Sequence, residues 1–228
     1  EAVGFLPMTD DGAAAEYVIA PAEALVSAPT SIALADAAGL PSVALTAWQA
    51  LFEYADLHAG QRIVITGAGG VVGLHAVRLA KRAGAHVIAT ATGRSRAAVA
   101  DAGADQVIDH TTTSAASVVD EPVDVVLNLA PISAEEFAAL AARVRDGGVV
   151  VSTTAWMATP SDEARGVRGV TVFVRSDRDQ LAELVRLVDS GELRVDIAER
   201  IPLAALPEVH ARLEAGQVHG KIVVTPGV

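Results

Sequence analysis

Four glycines carry the clearest chemistry in the chain. In IVITGAGGVVGLHAVRLAKRAG an apolar, strand-like run meets Gly67, Gly69, Gly70 and Gly73, and a helical pattern begins at once. A strand that turns directly into a helix needs residues without a Cβ, both for the tight turn and to let a diphosphate approach the backbone. The helix start then offers unpaired N–H groups and a partial positive charge to that diphosphate. The frame is Gly67-x-x-Gly70-x-x-Gly73; the commoner GxGxxG spacing fails because Val72 holds its last place. No Walker-type lysine follows, so a dinucleotide is favoured over a nucleoside triphosphate.

The end of the next apolar run decides which dinucleotide. An NAD site usually carries Asp or Glu there to accept the ribose hydroxyls. From Val87 through Ser95 (VIATATGRS) there is no acid; Thr92, Arg94, Ser95 and Arg96 follow instead, donors suited to a ribose 2′-phosphate. One charge-assisted hydrogen bond is worth about 1.5–3 kcal/mol. Two arginines therefore predict a preference for NADPH on the order of a hundredfold. The other reading of the pair is a solvated surface at a helix start. An S-adenosylmethionine site would also use a glycine-rich turn, but it usually shows an acid closing the second strand.

These residues must be held by a sheet. Strands are predicted at Ile63–Thr66, His86–Ala91, Gln106–Ile108, Val123–Leu129, Gly148–Ser152 and Val170–Arg175. Their near-continuous apolar character is that of strands covered on both faces. Phe137, Leu140, Ala141 and Val144 follow helical spacing, with Ser133 and Glu136 as a capping box and Gly147 as the stop. Leu181, Leu184, Val185 and Val188 repeat the stripe, opened by Ser176/Asp179 and closed by Gly191. A further helix is predicted from about Ser42 to Leu57. The fold class is thus α/β, a doubly wound parallel sheet of the Rossmann type with a cofactor at its topological switch point. Residues 1–29 and 192–228, rich in Pro and Gly with short strands, are assigned to a second, partial domain; residues 30–191 form the nucleotide-binding one.

Composition narrows the function further. In 228 residues, 17 basic against 28 acidic side chains give a net charge of −11. With no basic run, such a surface disfavours nucleic acid and anionic membrane. No stretch reaches membrane-spanning length, and a soluble cytoplasmic protein is expected. Cysteine is absent, which excludes disulfides and thiolate zinc sites within this chain. The six histidines show no two-ligand spacing with a carboxylate nearby, so no metal site is assigned.

The stretch LPSVALTAWQALFEYADLHAGQRIVITGAGGVVG, followed by LAKRAGAHVIATA and AGADQVIDH, resembles the medium-chain dehydrogenase/reductase superfamily. Within it the chain is similar to the zinc-free quinone oxidoreductase branch. DGAAAEYVIAPAEALVSAP near the start and HGKIVVTP near the end extend the resemblance over nearly the whole chain. The resemblance implies a GroES-like, β-rich catalytic domain, of which residues 1–29 and 192–228 are remnants; its first, larger part is expected to precede Glu1.

The resemblance also implies roles. Thr46 would face the nicotinamide and its ribose, the alternative being a helix hydroxyl bonded to its own backbone. Gly69, Gly70, Val71 and Val72 would line the diphosphate. His110 would lie near the adenosine half, or else be a surface loop histidine. Leu129, Ala130 and Thr153 would meet the cofactor at strand ends, and the backbone of Phe173 and Val174 would read the carboxamide. Lys221 would reach a phosphate or sit on the surface. Asn128, Ala130 and Pro131 depart from the Asp and paired glycines common in relatives, and no cysteine lies between Pro41 and Thr46.

The implied activity is hydride transfer from NADPH to quinones or α,β-unsaturated carbonyl compounds without zinc. Such a reaction needs geometry more than a nucleophile, and no acid–base pair is singled out. The other readings are an NADPH-binding redox-sensing or structural protein without turnover, and an enoyl-thioester reductase. A homodimer through the apolar sixth strand is expected, since an unpaired edge of that kind invites association.

Overall fold

The computed structural model describes residues 1–9 and 12–227. In chain order the elements are β1 (Ala2–Gly4), β2 (Leu25–Ser27), α1 (Leu34–Ala37), α2 (Pro41–Trp48), β3 (Arg62–Thr66), α3 (Val71–Arg82), β4 (His86–Ala91), α4 (Arg96–Asp101), β5 (Gln106–Asp109), α5 (Ala115–Val118), β6 (Val123–Asn128), α6 (Ala134–Ala141), β7 (Val144–Ser152), β8 (Arg168–Thr171), α7 (Arg178–Asp189), β9 (Ile197–Pro202), α8 (Leu206–Glu214) and β10 (Lys221–Thr225). The helix begun at α2 continues through Gln49–Tyr54 in π geometry.

Two compact units result, one of Glu1–Leu45 with Val174–Val228 and one of Thr46–Phe173. The second holds a six-stranded sheet in the order β5-β4-β3-β6-β7-β8, parallel throughout. The order reverses between β3 and β6, which is the switch point anticipated from the alternation of strand and helix. Ile63, Val64 and Ile65 of β3 and Val125, Val126 and Leu127 of β6 are all but inaccessible to solvent, as strands with helices on both faces must be. Phe137 and Leu140 of α6 pack with Val64, Val126 and Val150 of the sheet in one apolar cluster. Burying each such side chain contributes roughly 1.5–3 kcal/mol.

Several local expectations are corrected. The sixth strand is Arg168–Thr171 rather than Val170–Arg175. Val149 and Val150 of β7 recruit Arg168 and Gly169 despite their poor strand propensity, while β7 ends at Ser152 and leaves Phe173 and Val174 no ladder to join. At Gly169 a Cβ would lie 2.5 Å from the Pro160 carbonyl oxygen, so only glycine fits the edge there. The fifth strand of this sheet, β7, starts at Val144 rather than Gly148, so Gly147, at φ +76°, lies within it and α6 stops earlier, at Ala141. Ser133 does cap α6, accepting from the Glu136 amide at 3.1 Å. The Glu136 carboxylate does not reach back; it accepts from Ser114 Oγ at 2.6 Å and the Ala116 amide at 3.3 Å, tying α5 to α6. The cap of α7 is Asp177, which accepts from the Gln180 amide at 3.0 Å, in place of Ser176/Asp179.

The first unit contains the antiparallel pair β1–β2 and the parallel pair β9–β10. Helix α7 belongs here: its Asp189 accepts from the Thr30 and Ser31 amides at 2.8 and 2.9 Å. Arg200 of β9 grips Asp36 of α1 through two bonds of 2.6 Å. The division by contacts therefore falls at 45/46 and 173/174, whereas the sequence pattern placed the boundaries at 29/30 and 191/192. Helical periodicity marks α7 as a helix but does not say which core receives it.

Candidate functional site

The turn after β3 is shaped by what surrounds it. Gly67 has φ +67°, and a Cβ there would stand 3.1 Å from the Leu129 carbonyl and 3.0 Å from the Ala130 Cβ. At Gly73 a Cβ would meet the backbone of Gly67 and Ala68, including the Ala68 oxygen at 2.6 Å, so the helix can sit this close to the strand only with glycine. At Gly69 it would run into the Ser95 hydroxyl. Gly70 is the N-cap of α3 and has no side chain to cap it; its carbonyl receives the Leu74 amide at 3.0 Å. The first-turn amides of a twelve-residue helix are thereby left for a ligand. A cradle of missing Cβ atoms at an uncapped helix start fits a dinucleotide diphosphate.

Behind the turn lies a buried polar network that the sequence reading did not assemble. Thr66 Oγ1 donates to Asn128 Oδ1 at 2.6 Å. Asn128 Nδ2 donates to Thr154 Oγ1 at 3.1 Å and Ser152 Oγ at 3.3 Å, and those two hydroxyls are 2.7 Å apart. Thr66, Asn128 and Ser152 are register partners on β3, β6 and β7. Thr90 of β4 completes the support by accepting from the Gly67 amide at 3.1 Å. The available signal was a polar residue at the end of each of three apolar runs. Asn128, seen in sequence only as a departure from the family's Asp, is the hub that bonds to both neighbouring strands.

Beside this turn opens a cavity of about 410 Å³, lined by Gly67, Thr90, His110, Ala130, Ile132 and Glu136 among others. Three residues singled out from sequence thus meet there: the first glycine, His110 and Ala130. Leu129 flanks it, half-buried, with its amide directed to the Thr66 carbonyl oxygen at 3.3 Å. Thr153 follows β7, its amide donating to the Asn128 carbonyl oxygen at 3.1 Å.

The loop after β4 divides its labour. Ser95 Oγ accepts from the Thr92 amide at 3.1 Å and lies 3.3 Å from Thr92 Oγ1, so these hydroxyls fold the loop. Ser95 also brings the loop against Gly69. Arg94 and Arg96 are exposed, and among the described residues Arg94 has no hydrogen-bond or ion-pair partner. Arg96 lies in the field of Asp109.

The remaining candidates are not drawn into this cluster. Val71 and Val72 are half-buried in the first turn of α3, and Thr46 is half-buried on α2. Phe173 is 70% exposed beyond the end of β8. Val174 and Lys221 belong to the other unit, where burial pushes the Lys221 ammonium below the usual lysine range. No group of three His, Cys, Asp or Glu with metal-ligand geometry occurs among the described residues. No described helix is long and apolar enough to cross a membrane.

A family model described as zinc-binding dehydrogenase matches residues 102–224. The chain is 32% identical over 239 residues to a chloroplastic quinone-oxidoreductase homolog of Spinacia oleracea, covering 98% of this chain and 72% of that protein. It is 28% identical over 248 residues to a mitochondrial NAD(P)H oxidoreductase of Danio rerio, covering 96% of this chain but only 64% of the relative's length. Among solved structures, the quinone oxidoreductase from Coxiella burnetii superposes with a TM-score of 0.87 at 27% identity, over 98% of this chain and 71% of that one.

Proposed function

This chain belongs to the zinc-binding dehydrogenase family, within the medium-chain dehydrogenase/reductase superfamily, and we propose that it is an NADPH-dependent, zinc-independent oxidoreductase acting on quinones or α,β-unsaturated carbonyl compounds. The cofactor choice rests on one observation: the loop after β4 presents Arg94, without a partner among the described residues, while β4 itself ends in uncharged Ala91 with Thr92 next. A guanidinium held ready at that point favours a phosphorylated ribose over a free one. Gly69, Gly70, Val71 and Val72 would hold the diphosphate on their amides, and Arg94 and Arg96 the 2′-phosphate. His110, Leu129 and Ala130 would enclose the adenosine half, with Thr153 at the adjoining strand end. When bound, the dinucleotide supplies a hydride.

The chain's own part is to bind and to orient. The Thr66–Asn128–Ser152 network fixes the height at which the strand ends stand, and so the height of the turn above them. Ala130, Ile132 and Leu140 give the cavity apolar walls against which the adenine ring would pack. Thr46 is proposed to face the reactive ring. Zinc independence is proposed because the chain offers no cysteine. Quinones are supported by the similarity to the Spinacia quinone-oxidoreductase homolog and the Coxiella quinone oxidoreductase; α,β-unsaturated carbonyls, likewise electron-poor at carbon, are proposed beside them.

Residues 1–29 and 192–228 are proposed to be part of a GroES-like catalytic domain, and residues 30–191 to contain the NADP-binding domain, whose compact core is Thr46–Phe173. A homodimer through the sixth strand is proposed on the ground that β8 lies at the edge of the sheet, with exposed Phe173 just beyond it. Sedimentation at micromolar concentration tests it, and a monomer there refutes it.

The decisive experiment is a fluorescence titration with NADPH and NADH, followed by turnover on a panel of quinones and enones with and without a chelator. The double variant Arg94→Ala, Arg96→Ala should raise the NADPH dissociation constant about a hundredfold and leave NADH nearly unchanged. Equal losses for both cofactors would refute the NADPH assignment; activity abolished by the chelator would refute zinc independence.

A further inference from the structure

We propose that Asp109 sets how strongly the Arg94–Arg96 loop distinguishes a phosphorylated ribose from a free one, an inference that rests on the reading of that loop given above. Along the sequence, the end of β4 has no acid. The fold supplies one from the neighbouring strand. Asp109 closes β5 directly abreast of Ala91, the last residue of β4, and the His110 amide donates to the Ala91 carbonyl oxygen at 3.3 Å, which locks the two strand ends together. Cross-strand partners in a sheet project from the same face, so the carboxylate emerges beside the loop that starts at Thr92.

Only half of that carboxylate is used internally. Its Oδ1 accepts from the Thr111 amide at 3.0 Å and from Thr111 Oγ1 at 2.6 Å, while Oδ2 has no hydrogen-bond partner among the described residues. The Thr111 hydroxyl and amide hold the carboxyl below the usual carboxylate range, and the charges of His110 and Arg96 act in the same direction. The group is therefore an anion at neutral pH. It offsets part of the Arg96 charge and opposes a second anion approaching the loop. Its free oxygen is also an acceptor of the kind an unphosphorylated ribose hydroxyl seeks. Both effects work against the two arginines, so the site discriminates less than it would without the carboxylate.

Calorimetric titration with 2′,5′-ADP and 5′-AMP isolates this effect, because neither probe carries a nicotinamide. Asp109→Asn keeps the acceptor for Thr111 and removes the charge. In the full chain it should raise the preference for 2′,5′-ADP over 5′-AMP about fivefold at low salt, as expected for like charges near a protein surface. The gain should shrink to less than about twofold at 0.5 M salt, where the Debye length is only some 4 Å. Thr111→Val, which loses the hydroxyl bond but keeps the charge, should leave the preference as in the wild type.

An unchanged preference in Asp109→Asn overturns the proposal. So does a parallel fall in both affinities that Thr111→Val reproduces, since that marks a turn-forming residue only. A wild type that binds the two probes alike, with no response to Arg94→Ala and Arg96→Ala, overturns the reading of the loop itself and this proposal with it.

Discussion

The turn after β3 and the loop after β4 meet at Gly69 and Ser95, yet they are specified in different ways. The first is walled by backbone: Gly67 against Leu129, Gly73 against Gly67 and Ala68, and beneath them a network with every member buried. The second is open to water, and its content is charge: Arg94 without a partner, Arg96 under the influence of Asp109. A site fixed by volume tolerates almost no substitution but does not care which dinucleotide it holds. A site fixed by charge folds with many sequences and selects between ligands.

Experiments that separate volume from charge therefore test the contrast. The largest effect is expected at Gly73→Ala. Its added methyl meets peptide atoms that cannot swing aside, so destabilisation of about 3 kcal/mol is expected in urea unfolding, with NADPH and NADH binding lost together. A stable variant with only one cofactor affected would mean that the turn is not defined by packing. Next comes the arginine pair taken singly. Arg94→Ala should account for most of the roughly hundredfold loss of NADPH affinity, and Arg96→Ala for the smaller part because Asp109 already offsets it. Neither should move the thermal midpoint; a drop in both midpoint and NADH affinity would place the arginines in the framework instead.

Asn128→Leu ranks third. It removes the amide that serves hydroxyls on two sides and leaves buried oxygens without partners, at a cost of about 2 kcal/mol. Unfolding should register that loss, and the ratio of NADPH to NADH affinity should not change. The smallest effect is that of salt on the unmodified chain. Between about 0.05 and 0.5 M, NADPH affinity should fall a few-fold more than NADH affinity, because screening acts on the exposed loop and hardly on the buried turn. A parallel response of the two cofactors would erase the distinction drawn here.

Much of this was legible from residue order. The glycines, the strand before them and the helix after them specify the turn, because no other residue type satisfies a φ of +67° and the close strand–helix approach together. The doubly wound parallel sheet follows from alternating apolar runs and helices. What escaped was whatever depends on who stands next to whom. Asn128 lies 62 residues from Thr66, and only pairing in register reveals that the Thr66 hydroxyl donates to its amide oxygen. Asp109 reads as an ordinary strand-end acid until β5 is laid beside β4. Strand ends failed for the same reason: Arg168 and Gly169 join β8 because β7 lies alongside, not through any preference of their own. Cap positions erred by a residue or two, as with Asp177, because several acids and hydroxyls compete at each helix start.

The Thr66–Asn128 bond has a consequence for the order in which the chain matures. During synthesis the glycine turn leaves the ribosome long before its supporting partner is made, and it cannot take its final form until β6 has been translated and has docked against β3. Contacts of such sequence separation form slowly. Nucleotide, which binds only the finished arrangement, draws the equilibrium toward it, by about 2.7 kcal/mol at a hundred times its dissociation constant. A bound dinucleotide would thus act as a late folding partner of the turn.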